Sequence, residues 1–330
     1  MKKRHLFPYH LLPVRRIKQK RTLVSNWAHT IPAGSFTNPF PLTFSREACI
    51  IIADGVKRYK KSLMLLLFFL ICATHRIQAG GELQCNSSRS GAMGGVSVVL
   101  IDIWSAGGNP AAIPFLDGIA AGICGQNLYL IKSLNTALLA MTLSSHAGGF
   151  GLAVCHSGMT GYNELKAGLG YGRKFGKQFS AGVSLTYHYL HASGEYRTRH
   201  LASFEAGVLY RPGSHWSFGI HCLNPFPVKV STFPEEYLPW MIKACLSYLF
   251  KEGLLMVAEI GKQPGIPVNI LAGIEYHLVA PFCLRIGISS QPVRLTFGAG
   301  FEWKKLTIDI ASGYHLQLGF NPSISFSYHF

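Results

Sequence analysis

The groups from which a catalytic or metal site could be built are scattered along the 330-residue chain. His188 and His191 fall close together, with His200 a short loop away. A histidine cluster of that kind can hold a metal, but loop histidines are more often simply solvated. His146, Ser157 and Asp309 would be the raw material of a hydrolytic triad, yet they belong to different segments and no spacing unites them. There is no G-x-S-x-G elbow, P-loop or H-E-x-x-H helix. Six cysteines follow residue 80, Cys85, Cys124, Cys155, Cys222, Cys245 and Cys283, none in a C-x-x-C pair. Their spacing gives no zinc pattern, and most read as small apolar fillers of strands. The reading is therefore of a non-enzyme without cofactor or metal.

The ionisable residues that remain sit in a pattern of their own. Lys166, Glu205, Arg211, Lys243, Glu259, Glu275, Arg285, Arg294, Glu302 and Asp309 fall on the polar side of segments that alternate apolar and polar residues. Phe179, Ala181, Val183, Leu185, Tyr187 and Tyr189 alternate with Ser180, Gly182, Ser184, Thr186 and His188. Period-two alternation is the signature of a strand with two unlike faces. It recurs in about fourteen segments: 119–131, 134–144, 148–157, 162–174, 178–190, 201–211, 214–222, 239–250, 254–261, 267–278, 281–290, 293–303, 305–315 and 321–330. Most run 9–13 residues, the reach of a tilted membrane strand and longer than the usual soluble strand. The expected fold is all-β, a membrane-spanning antiparallel β-barrel of about 14 strands with a short N-terminal plug. Its apolar face meets outer-membrane lipid. Its charged face lines a lumen, where mixed signs imply bracing ion pairs.

Connection lengths supply a second, independent pattern. If the first strand runs outward, the even-numbered connections are all short, and the long ones, 191–200, 223–238, 262–266 and 316–320, are all odd. Short periplasmic turns and long outer loops are what a bacterial barrel shows. The longest connection is Pro-rich, with prolines at 225, 227, 234 and 239 that stiffen it as a loop. Tyr189, Tyr210, Trp216, Trp240, Phe250, Tyr276, Phe282, Trp303 and Tyr328 fall near strand ends, where an interfacial girdle belongs.

Charge is divided unevenly. Residues 1–79 hold 14 of the 31 lysines and arginines against only Glu47 and Asp54, so the basic balance describes the leader rather than the body. That argues against a nucleic-acid partner. Lys57, Arg58, Lys60 and Lys61 precede the apolar run Ser62–Ala73, and small residues Ala79 and Gly80 follow. Residues 57–79 thus read as a secretory signal peptide, too short an apolar run to span a bilayer. The expected division is a 1–56 extension, mis-annotated or disordered, with translation starting near Val56. The signal peptide, a plug segment over 80–118 and the barrel over 119–330 follow.

Two stretches carry resemblances. Phe326, Tyr328 and Phe330, aligned on the apolar face of the last segment, resemble the C-terminal assembly signal of outer-membrane barrels. That implies the barrel-assembly machinery as a partner and the bacterial outer membrane as the location. Asn109-Pro110-Ala111, before the first strand, resembles the NPA motif in the hatch of FadL-type fatty-acid transporters, fourteen-stranded barrels with an N-terminal plug. The longer string from Asp102 and Trp104 through Asn109-Pro110-Ala111 resembles the PorV/PorQ branch of Bacteroidetes. The first resemblance implies uptake of hydrophobic small molecules. The second implies a scaffold or accessory role in type IX secretion and surface attachment, with secretion-system proteins or cargo as partners. A charged lumen weighs towards the scaffold, and a continuous apolar tunnel would weigh towards transport.

Overall fold

The computed structural model describes residues 86–330 apart from 132–133, 146, 160, 194–197, 233–234 and 252. The leader, Cys85 and His146 therefore lie outside the described residues. Fourteen antiparallel strands form one closed barrel. In chain order these are β1 Gly118–Asn127, β2 Asn135–Ser144, β3 Gly148–Met159, β4 Tyr162–Phe175, β5 Phe179–Ala192, β6 Arg199–Tyr210 and β7 Trp216–Leu223. A two-stranded hairpin, β8 Val228–Thr232 with β9 Glu235–Leu238, interrupts the series. The barrel then resumes with β10 Met241–Leu249, β11 Leu254–Lys262, β12 Asn269–Val279, β13 Phe282–Ser290, β14 Val293–Trp303, β15 Leu306–His315 and β16 Gly319–His329. The wall closes where β1 pairs with β16, from Ala120 opposite His329 to Gln126 opposite Ser323. The Phe330 N–H adds one more bond to the seam, donated to Ile119 O at 2.9 Å.

Alternation decides which face is which. Along β2 the pattern is strict: Thr136, Leu138, Ala140 and Thr142 are buried, while Leu139, Met141 and Leu143 are exposed. An exposed apolar outer surface continues around the wall, and an unpaired edge, costly in lipid, is avoided by closure. The strand ends carry the aromatics, as in the Trp216–Tyr248 and Tyr248–Phe250 pairs, 4.6 and 4.5 Å between ring centres.

The 223–238 connection differs from the stiff loop expected. Between prolines 227 and 234 lies Val228-Lys229-Val230-Ser231-Thr232, β-branched enough to pair as a strand. Pro227 and Pro239 flank the hairpin, where a missing N–H costs the ladder nothing. A second difference concerns Cys155, which is disulfide-bonded rather than a plain filler, whereas Cys124, Cys222, Cys245 and Cys283 are free thiols.

Candidate functional site: a plug seated in the lumen

Residues 86–117 do not join the wall. They fold as three short turns inside it: helix α1, Ser88–Ala92, and two 3-10 turns, Ile103–Ala106 and Pro110–Phe115. Each begins on a side-chain cap. Ser87 Oγ accepts from Ser90 N–H, Asp102 Oδ1 from Trp104 N–H at 3.0 Å, and Asn109 Oδ1 from Ala111 N–H at 3.1 Å. Small polar residues cap because their oxygen replaces a missing turn partner, and proline suits the first position since its absent N–H is not needed there. Pro110 occupies that place. Asn109 also donates from Nδ2 to Val98 O at 2.9 Å and Val208 O at 3.4 Å, so it ties two parts of the plug to β6.

The wall is thinned where the plug touches it. Gly172, Gly182 and Gly207 stand side by side across β4, β5 and β6. A Cβ on Gly207 would fall onto Asn109 Oδ1, and one on Gly172 or Gly182 would strike the Pro110 carbonyl region. Across the lumen, Gly273 and Gly287 face each other on β12 and β13, and added carbons there would collide with Met93 and Gly94. The Asn109-Pro110-Ala111 turn and the Met93-Gly94 turn thus sit in two glycine-lined seats. Ser180 Oγ completes the first by donating to Ala111 O at 2.6 Å. The many glycines of the strands were visible as composition. Their function was not, because it appears only when register aligns them.

Charged groups clamp plug to wall at two points, and a third cluster lies within the wall. Arg89 grips Glu275 with two bonds, 2.8 and 2.7 Å, and reaches Asp102 at 3.2 Å. Glu275 is shared with Arg285 at 2.6 Å, and Arg285 continues to Asp309 at 2.6 Å. Burial opposes the charge on Arg89, but Glu275 and Asp102 outweigh it and raise its pKa, so it stays ionised. Burial in turn pushes the Asp102 carboxyl up from its ordinary value against the pull of Arg89. At the second point Glu259 Oε2 accepts from the N–H groups of Ser97 and Val98, 2.8 and 3.0 Å, with Lys243 at 3.8 Å from its other oxygen. The third cluster lies in the wall, where Glu205 meets Lys166 at 3.0 Å, His221 at 3.2 Å and Thr186 Oγ1 at 3.1 Å. Glu302 is exposed at the end of β14, away from these clusters. Arg211 is packed instead against the Phe115 ring, 5.1 Å away, at the foot of the plug.

The three histidines do not converge. His188 is buried against Ser203 Oγ, His191 meets Thr198 and His200 meets the Tyr187 hydroxyl. No group of three metal-binding side chains occurs among the described residues. Ser157 bonds Thr136 while Asp309 bonds Arg285, and the third residue considered, His146, is outside the described residues.

One cavity beside the plug, lined by Trp104, Leu138, Lys166, Glu205 and Lys243 among others, has a volume of about 60 Å³. A dry cavity of roughly 150 Å³ is of a size that accepts benzene, so this one is too small for such a ligand.

A closed fourteen-stranded barrel with an apolar outer face and a seated plug is the architecture of an outer-membrane protein. Solved structures with this fold are FadL-type channels. Similarity extends over 76% of the chain and 99% of the CymD monoaromatic hydrocarbon channel, with TM-score 0.63 and 13% identity. It extends over 76% of the chain and 99% of the Ralstonia pickettii toluene transporter TbuX, with TM-score 0.56 and 13% identity. For a Pseudomonas aeruginosa FadL homologue the values are 76% and 100%, TM-score 0.59 and 13% identity. At such identity the likeness is one of fold. No protein-family profile and no curated protein sequence matches the chain. The finer PorV/PorQ resemblance gains no support from these comparisons, and neither does a role in type IX secretion.

Proposed function

We propose that the chain is an outer-membrane channel for uptake of hydrophobic small molecules, with residues 86–117 as its gate. The observation that carries this reading is the manner in which the plug is held. Its Asn109-Pro110-Ala111 turn, with Asp102 and Trp104 before it, rests in fitted seats and discrete clamps and is not built into the sheet. The cavity of about 60 Å³ beside the plug is smaller than the roughly 150 Å³ of one that accepts benzene, so passage by that route requires the plug to shift. The named channels of the same fold, for monoaromatic hydrocarbons and toluene, support a substrate of that class. The charged lumen that weighed towards a scaffold fits a gate as well, since two of its ion clusters tie plug to wall.

Tethering tests this. Ala111 and Ser180 touch through the bond from Ser180 Oγ to Ala111 O. The double variant Ala111→Cys with Ser180→Cys, oxidised, should stop uptake of labelled toluene into proteoliposomes, and reductant should restore it while leaving wild-type flux unchanged. Equal flux in the oxidised and reduced double variant would sink the gate. Absence of any flux in the wild type would sink the transport reading.

A further inference from the structure

Arg294 differs from the carboxylate-paired cations of the lumen. Arg89, Lys166, Lys243 and Arg285 each have a carboxylate. Arg294 has none among the described residues, and its Nε is shut from solvent without a hydrogen-bond partner. It lies on the lumen side of β14, opposite Ser289 of β13 and His315 of β15. His315, whose Nδ1 accepts from the N–H groups of Gln317 and Leu318, is not an acidic side chain and offers no counter-charge. A second orphan adjoins it. Asn321 is 3% exposed, its Oδ1 is taken by the Tyr129 N–H at 2.7 Å, and its Nδ2 has no partner.

Both orphans line one cavity of about 30 Å³, with Gln126, Ser323, Asn86 and Ser87. Every one of these side chains can donate a hydrogen bond, and none is acidic. A guanidinium cannot shed its proton at neutral pH, and a buried charge without a counter-ion is costly. The volume is roughly two water-sized spheres. That is room for the two oxygens of a carboxylate or for one halide, and not for a hydrocarbon body.

We propose that Arg294 and Asn321 form a binding site for a small monoanion, at the long-loop end of the lumen beside helix α1. Two sources share that chemistry: a halide from solution, or the carboxylate head of an organic acid entering the lumen. The site goes beyond the transport reading and does not depend on it, because anion binding can be measured where no flux occurs.

The experiment is anomalous diffraction from crystals of the full chain soaked in sodium bromide or in 4-bromobenzoate. A bromide peak at ion-pair distance from the Arg294 guanidinium supports a solution halide. A 4-bromobenzoate molecule with its carboxylate on Arg294 supports a ligand head. Arg294→Met should remove either signal and weaken benzoate binding in detergent solution by about tenfold or more, whereas Arg294→Lys should retain it. Heat-modified electrophoretic mobility reports that each variant is still a folded barrel. No density for either probe at Arg294 in the wild type overturns the proposal, as does a signal that survives Arg294→Met.

Discussion

Asn109 Oδ1 occupies the place where any residue other than glycine at 207 would put its first side-chain carbon. Gly207→Ala therefore forces either the plug turn or the β6 backbone to move. Overpacking of this kind costs typically 1–3 kcal/mol, and the plug, held by few bonds, is the part that gives. Trypsin should then cut at Arg89 in the folded variant while the barrel keeps its heat-modifiable mobility. Gly168→Ala is the control, because its new carbon would rest 3.5 Å from Ser184 Oγ, an ordinary contact. Equal protection of Arg89 in both variants would refute the seat. The clamp makes a parallel prediction. Glu275→Gln removes the shared partner of Arg89 and Arg285 and leaves each with one carboxylate, Asp102 and Asp309, so stability should fall by less than the roughly 3–5 kcal/mol of a stranded buried charge. Glu302→Gln, on an exposed strand end, should leave the denaturation midpoint unchanged. Chemical denaturation of the refolded barrel in detergent compares the two.

Strands and plug were not equally legible. Each barrel strand announces itself locally, since alternation within ten residues fixes which side chains face lipid. The hairpin β8–β9 was hidden because prolines at 227 and 239 resemble loop signals until they are seen to flank the pair rather than enter it. The plug seats were hidden for a deeper reason. Gly172, Gly182 and Gly207 lie 35 residues apart from first to last, and they become one surface only through two registers. The charges of β10 to β15 could be assigned to the lumen, but which carboxylate took Arg89 could not, because that depends on where the plug rests. The seam of β16 with β1 carries the prediction at this scale. Phe326 faces outward between Ile123 and Ile308. Phe326→Lys puts a charge on lipid, costing up to roughly 2–4 kcal/mol near mid-membrane. The folded fraction recovered in liposomes should fall, while Ser325→Ala, on the lumen side of the same strand, should fold like wild type. Equal folding yields would show that this seam does not meet hydrocarbon.

For the molecule as a whole, the question is whether barrel and plug are one folding unit or two. All fourteen wall strands pair only with other wall strands, and the ring is closed without any residue of 86–117. What the plug adds is side-chain contact: the two glycine seats, the Arg89 clamp and the bonds from Ser97 and Val98 to Glu259. Removing it exposes Glu259, Glu275, Arg285 and Asp309 to a lumen that would fill with water. Hydration then replaces the lost partners, so no uncompensated buried charge is left behind. A chain with the same leader but lacking residues 86–117 should accordingly fold as a heat-modifiable barrel, with modestly lowered stability. Its lumen should no longer be blocked. In planar bilayers it should give steady single-channel currents, and in liposomes it should admit small sugars, neither of which the wild type should do. If the shortened chain fails to fold, the plug is part of the barrel's folding core and cannot act as a movable gate. If it folds but stays closed to ions, the wall side chains alone seal the lumen, and gating must be sought in the ion pairs of Glu205 and Asp309 instead.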